Sequence, residues 1–149
     1  MTHGEPTVLL LSESQRDQIA REASTAYPNE CCGIIFGAQT AGKRQISSLQ
    51  AVGNSFDQAE RFHRFSISPR DLMDAERRAA ERGEMVLGFY HSHPDHPAEP
   101  SEFDRAQAWP FYSYVIITVQ NARAGEMKCW QLDEQSQQFT RQDIGVVGR

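Results

Sequence analysis

Short hydrophobic runs alternate along the chain with polar segments, glycine and proline, a pattern that predicts a mixture of strands and helices. The predicted strands cover 8–11, 32–37, 44–52, 62–67, 85–91, 114–119, 127–132 and 138–144. The last two strands predict a hairpin or a meander. Helices are predicted from about 13 to 27, from 69 to 82 and from 101 to 109.

Polar side chains mark where the first two helices begin. Ser12 and Gln15 have the spacing of a capping box, in which each residue binds the backbone N–H of the other. Ser68 before Pro69 is typical of an N-cap followed by proline at the first helical position. With no internal repeat, linker or low-complexity tract, these elements predict one α/β or α+β domain over residues 1–149.

Composition and charge exclude several classes of function. The chain has 149 residues, of which 39% are hydrophobic and 23% charged, which is typical of a globular domain. Its net charge is -5 and the basic residues are scattered, so we expect neither nucleic acid nor an anionic membrane as a partner. No apolar run approaches the roughly 20 residues that span a bilayer, and the N-terminus lacks a secretory signal pattern. These features predict a cytoplasmic location.

The three cysteines argue against a disulfide framework. Their number is odd, and Cys31 and Cys32 are adjacent, which strains any bridge between them. We expect these two and Cys129 to be reduced thiols packed as small hydrophobic residues. A nucleophilic or metal-binding thiol beside Glu30 is the less favoured alternative.

Histidines cluster at the end of the most hydrophobic predicted strand. Only five occur in the chain, and His91, His93 and His96 are three of them. Side chains two residues apart on a strand share a face, so His91 and His93 can offer two imidazole nitrogens to one ion. The alternative is a pair of polar residues that close a strand. His96 and His63 are solvated residues or substrate contacts.

A catalytic zinc site needs a third protein ligand and leaves a position for water. Asp104 is our choice because a helix holds a ligand more rigidly than a loop, while Asp95 and Glu99 are alternatives. Ser101 and Asp104 also have the spacing of a capping box, which would explain both residues without any metal.

Together these residues resemble the JAMM motif of the MPN-domain metallopeptidases. The motif comprises an upstream glutamate, the string His-Ser-His-Pro, and a serine and an aspartate at fixed spacing: Glu30, His91, Ser92, His93, Pro94, Ser101 and Asp104. The resemblance to bacterial stand-alone members extends to 28–33, Gly37, 52–55 and 65–72, and covers most of residues 8–135.

The resemblance implies both a fold and a mechanism. It implies a mixed, mostly antiparallel sheet flanked by helices, in a cytidine-deaminase-like architecture. His91, His93 and Asp104 would bind one zinc ion per chain. Glu30 would be the general base and acid, and Ser101 would bind the attacking water or the oxyanion.

The resemblance also suggests a substrate class. Relatives hydrolyse amide bonds after the C-terminal glycines of ubiquitin-fold proteins, and compact bacterial members act on sulfur-carrier proteins. They release an amino acid such as cysteine or trim the carrier, so a role in cysteine biosynthesis is our hypothesis for the pathway. A non-catalytic MPN scaffold is the alternative function. The sequence leaves open whether the protein is a monomer or a homodimer.

Overall fold

Seven strands and three helices make up the part of the chain that the structure describes. The structure is a computed structural model, and it describes residues 7–52 and 67–148. In chain order the elements are β1 (Val8–Leu11), α1 (Glu13–Ala26), β2 (Cys32–Thr40), β3 (Lys43–Val52), α2 (Pro69–Glu81), β4 (Met85–Pro94), α3 (Glu102–Gln107), β5 (Ser113–Gln120), β6 (Arg123–Leu132) and β7 (Phe139–Val146). The prediction of a domain that mixes helices and strands is confirmed.

The strands close into a barrel in the order β1-β3-β2-β4-β5-β6-β7. Strand β1 is parallel to both of its neighbours, β3 and β7, and β4 is parallel to β5. The remaining four of the seven pairings are antiparallel, as in the expected mixed, mostly antiparallel sheet. Closure depends on the pairing of β1 with β7, and local sequence patterns do not predict such a long-range contact.

Two hydrophobic clusters lie on opposite faces of the sheet. Helix α1 packs on one cluster through Ile19 and Ala23, and α2 packs on the other through Ala75 and Ala79. Near the end of β4, Phe89 lies in the second cluster and Tyr90 in the first. Because side chains alternate along a strand, His91 and His93 project from the same face as Phe89.

Several element boundaries differ from the sequence predictions. Strand β2 continues to Thr40 through Gly37, which was expected to end it. A Cβ atom at Gly37 would lie 2.0 Å from the carbonyl oxygen of Gln45, so glycine serves close strand pairing there. Strand β6 begins at Arg123, four residues before the predicted start at 127, and α3 has only six residues, Glu102–Gln107. The sequence features proposed at 53–55 and 62–66, including His63, lie outside the described residues.

Within 7–52 and 67–148, no helix is both long enough and apolar enough to cross a membrane.

None of the three cysteines forms a disulfide. Cys32 and Cys129 are buried, and Cys31 is partly buried. Burial raises the pKa of Cys31 to about 11 and that of Cys129 to about 12, so both are neutral thiols at ordinary pH.

Candidate functional site

A rigid central strand carries the two histidines of the motif. His91 and His93 lie in β4, between β2 and the parallel strand β5, where His91 is paired with Cys32 on one side and Ile116 on the other. Their exposed fractions are only 1% and 7%. Because they are two residues apart, both rings project from the same face, as the sequence predicted.

Three ligand atoms from two elements converge on one point. The Nε2 atoms of His91 and His93 are 3.2 Å apart. The carboxylate of Asp104 lies 3.0 Å from the Nε2 of His93 and 3.4 Å from that of His91. Ligand atoms about 2.0–2.1 Å from a tetrahedral zinc ion are separated by about 3.3 Å. The three side chains therefore have the spacing of a tetrahedral metal site.

Hydrogen bonding of His93 leaves its Nε2 lone pair directed at this point. Its Nδ1 atom is 2.9 Å from the carbonyl oxygen of Pro97, and since a carbonyl can only accept, the proton lies on Nδ1. With the proton on Nδ1, the Nε2 lone pair of His93 faces the carboxylate of Asp104 as an acceptor facing an acceptor. Such an arrangement is repulsive unless a cation lies between the two, and the donor set thus fits a divalent metal ion.

Burial and the neighbouring groups together set the protonation states of His91 and Asp104. Burial lowers the pKa of His91 and outweighs the attraction of Asp104, so its imidazole is neutral and can donate a lone pair. Burial alone would raise the pKa of Asp104. Interactions with His91 and His93 and a hydrogen bond from the backbone N–H of Ser101 outweigh burial, and the pKa of Asp104 is held below its usual range.

Asp104 is held by the first turn of α3. Its carboxylate accepts a hydrogen bond from the backbone N–H of Ser101 at 2.8 Å, and its own N–H donates to the Ser101 hydroxyl at 3.0 Å. The carboxylate that completes the capping box is thus the same one that faces the Nε2 atoms of His91 and His93. Because Ser101 accepts from a backbone N–H, its hydroxyl proton remains available for donation to another group.

Glu30 lies at the entrance to β2, close to these ligands. It is buried, with an exposed fraction of 6%, and its Oε1 atom has no hydrogen-bond partner among the described residues. The adjacent backbone is fixed to β4, since Ser92 exchanges two hydrogen bonds with the backbone of Cys31, at 2.8 and 3.1 Å. Burial, assisted by the charge of Asp104, raises the pKa of Glu30 to about 9. A glutamate with a raised pKa binds a proton more strongly than an exposed glutamate does, which suits it to proton transfer.

The alternative ligands are engaged elsewhere. Both carboxylate oxygens of Asp95 accept hydrogen bonds from the hydroxyl of Tyr27, and Glu99 forms an exposed ion pair with Lys128. His96 is exposed, and the ligand group found among the described residues contains His91, His93 and Asp104 alone. The structure thus favours Asp104 over its two competitors as the third ligand.

Sequence reasoning missed two features of the site. One is the backbone carbonyl of Pro97, which carries no signal in the residue type because every residue has a carbonyl group. The other is a small apolar cavity of about 30 Å³ beside His91 and Asp104, closed in part by Trp109. A cavity of this size is suited to one or two heavy atoms.

Comparison with known proteins agrees with this geometry. Residues 12–133 match the family described as prokaryotic homologs of the JAB domain. The desampylase of Haloferax volcanii is 34% identical over 115 residues, which cover 74% of this chain and 80% of that protein.

Solved structures show the same fold. A protein from Desulfitobacterium hafniense superimposes with a TM-score of 0.80 at 27% identity, over 95% of this chain and 94% of that one. A JAB1/MPN-domain protein from Archaeoglobus fulgidus has a TM-score of 0.56 at 17% identity, over 95% and 100% of the two chains, and supports the fold alone. The chain therefore belongs to the prokaryotic JAB-domain family, and it is a hydrolase of the JAMM type.

Proposed function

We propose that the protein is a zinc-dependent isopeptidase or peptidase that cleaves the amide bond after the C-terminal Gly-Gly of a ubiquitin-fold sulfur-carrier protein. The coarser assignment, a JAMM-type hydrolase that acts on a ubiquitin-fold protein, follows from the relationship to desampylases. The observation that carries the proposal is the triangle of His91, His93 and Asp104 beside the buried carboxylate of Glu30.

The donor set supports zinc as the metal. Two imidazoles and one carboxylate are the ligands of many catalytic zinc sites, whereas magnesium and calcium prefer oxygen ligands throughout. A zinc ion bound there would polarise the scissile carbonyl and lower the pKa of water to about 7. One such ion per chain is proposed.

Glu30 and Ser101 supply the proton transfer and the hydrogen bonding. Glu30 accepts a proton from the attacking water through its unpartnered Oε1 atom and returns it to the departing amine. The hydroxyl of Ser101, whose oxygen already accepts from the N–H of Asp104, donates its proton toward the oxygen on which negative charge develops. A non-catalytic scaffold would need none of these groups.

The sulfur-carrier substrate is the finer part of the proposal. A Gly-Gly tail suits a site whose metal ligands are more than nine-tenths buried, because glycine allows the backbone to approach closely. Release of a terminal amino acid such as cysteine would place the enzyme in cysteine biosynthesis. A cytoplasmic location and a homodimer also stay predictions, testable by fractionation and by light scattering.

Mass spectrometry of carrier proteins tests the proposal. A panel of ubiquitin-fold carriers, each extended by one residue after Gly-Gly, is incubated with the enzyme before and after chelation. We expect loss of the extra residue only with zinc present. Glu30→Gln should retain zinc and lose activity by about 10²-fold or more, because a base is removed and no ligand is. The matched control is Glu76→Gln, which makes the same substitution in α2, outside the triad. The Glu76 carboxylate accepts a hydrogen bond from the Tyr112 hydroxyl. Cleavage of no carrier would exclude this substrate class.

A further inference from the structure

Residues 95–99, here named the support loop, lie in the connection between β4 and α3 and have no regular secondary structure. Side chains from the end of α1, from β5 and from β6 bind it. The Tyr27 hydroxyl at the end of α1 donates to the Asp95 carboxylate at 2.8 and 3.0 Å. Thr118 of β5 donates to the carbonyl of His96 at 2.5 Å, and the indole N–H of Trp130 of β6 donates to the carbonyl of Ala98 at 3.1 Å.

The carbonyl of Pro97 lies between the two carbonyls that are fixed by Thr118 and Trp130, and it accepts the hydrogen bond from His93. Three consecutive carbonyl groups, those of His96, Pro97 and Ala98, each accept from a side chain of a different strand. The middle bond, from the Nδ1 of His93, selects the tautomer that leaves the Nε2 lone pair for a metal. The position of this middle carbonyl therefore depends on the restraints at its two neighbours.

The beginning of the loop is fixed as well. Asp95 has a φ of 60°, in the left-handed region, and its N–H donates to the carbonyl of Val119 at 2.6 Å. Aspartate tolerates this conformation better than most residues do. Pro97 is exposed while Ala98 is fully buried, so the loop is anchored from within and its outer side faces solvent.

We propose that Tyr27, Thr118 and Trp130 are positioning residues that hold the support loop so that the Pro97 carbonyl orients His93 for metal binding. The inference rests on the proposed metal site. Loss of a hydrogen bond made directly to a metal ligand typically costs 10- to 100-fold in affinity, and these three side chains act on such a bond through the loop, so we expect an effect at the lower end of this range. Loss of one of these restraints therefore weakens metal binding although none of the three side chains is a ligand.

The main test compares conservative variants that each lose one hydrogen bond to a backbone carbonyl. Thr118→Val is isosteric and retains a methyl group, and Trp130→Phe retains an aromatic ring beside Arg141. Thr140→Val is the matched control, because the Thr140 hydroxyl also donates to a carbonyl, that of Gln131, at an exposed place in β7. Zinc affinity is measured by competition with a chromophoric chelator, and the site geometry by the visible spectrum of the Co²⁺-loaded protein.

We expect the two loop variants to bind zinc about 10-fold more weakly and to show an altered Co²⁺ spectrum. The control should match the wild type in both measurements. A second pair guards against misfolding: Tyr27→Phe and Tyr112→Phe each remove a tyrosine–carboxylate hydrogen bond, but only that of Tyr27 reaches the loop. Melting temperatures of the metal-free proteins show whether each variant folds.

The two proposals fail in different ways. Wild-type zinc affinity and an unchanged Co²⁺ spectrum in Tyr27→Phe and Thr118→Val would overturn the positioning role while the metal site stands. A wild-type protein that takes up no zinc would overturn the metal site and the inference with it. Equal weakening in the loop variants and in both controls would also overturn the positioning role, since it would show a general loss of stability.

Discussion

Ser101 and Asp104 bind each other reciprocally, through the backbone N–H of each and the side chain of the other. The same carboxylate lies 3.0 Å from the Nε2 of His93. Asp104 thus stabilises the first turn of α3 and directs the same carboxylate at the proposed metal site. The hydrogen bonds of the cap fix the carboxylate before any metal arrives, which reduces the conformational entropy lost on binding.

Ser101→Ala should lower both stability and turnover, whereas loss of another cap should lower stability only. Loss of a serine N-cap costs about 1 kcal/mol in the free energy of unfolding. Ser12→Ala is the matched control, because Ser12 forms the same capping box with Gln15 at the start of α1. Urea unfolding and kcat are measured for both variants. Equal kcat values in the two variants would show that Ser101 is only a cap.

The pH dependence of stability should report the buried carboxylate of Glu30. Its pKa is raised from 4.5 to about 9 in the folded state by burial and by Asp104. Between these values the folded metal-free protein holds a proton that the unfolded chain releases, so this group makes the free energy of unfolding fall as pH rises.

Urea unfolding in the presence of a chelator, at pH 5.5 and pH 8, measures this effect. Glu30→Gln removes the titrating group, so the variant should lose less stability than the wild type between the two pH values. The difference between the two proteins isolates Glu30 from the other carboxylates and histidines. Parallel pH profiles would contradict the raised pKa.

Local signals made much of this architecture predictable. Ser12 and Gln15 form the expected capping box, with bonds of 3.1 and 2.8 Å, and Ser68 accepts from Asp71 at the start of α2. The spacing of His91 and His93, two residues apart in a strand, predicted that both rings lie on one face, and they are adjacent in the structure. In each case the residues concerned are two or three positions apart, so the types of neighbouring residues are enough to predict the structure.

Contacts between distant segments were not predictable from the pattern. The pairing of Val8 with Asp143 closes the barrel, and neither residue type indicates it. The same holds for the Pro97 carbonyl, a backbone group that His93 uses. Spacing predicts the capping box of Asp104, but it does not show that the same carboxylate also faces His91 and His93, because that contact joins distant segments.

Strand β4 should tolerate no side chain at Gly88. A Cβ atom there would lie 1.8 Å from the carbonyl oxygen of Ser113, its partner on β5, and backbone cannot move aside as a side chain can. We expect Gly88→Ala to destabilise the fold by about 1–3 kcal/mol or more. In Gly125→Ala the nearest atom is a methyl carbon of Thr118 at 3.1 Å, so a smaller loss is expected. Thermal unfolding compares the two, and an equal loss would contradict the tight β4–β5 approach.

Zinc should stabilise the folded protein through Asp104 and not through its exposed neighbour Glu99. A ligand present at 100 times its dissociation constant adds about 2.7 kcal/mol to the free energy of unfolding. Asp104→Ala should abolish the rise in melting temperature that zinc produces, because only two imidazoles remain. Glu99→Gln should keep it, since Glu99 contacts Lys128 and not the triad. Elemental analysis should give one zinc per chain for wild type and Glu99→Gln. If Glu99→Gln lost the zinc-dependent rise in melting temperature and Asp104→Ala kept it, the third ligand would be Glu99 in the support loop and not Asp104 in α3.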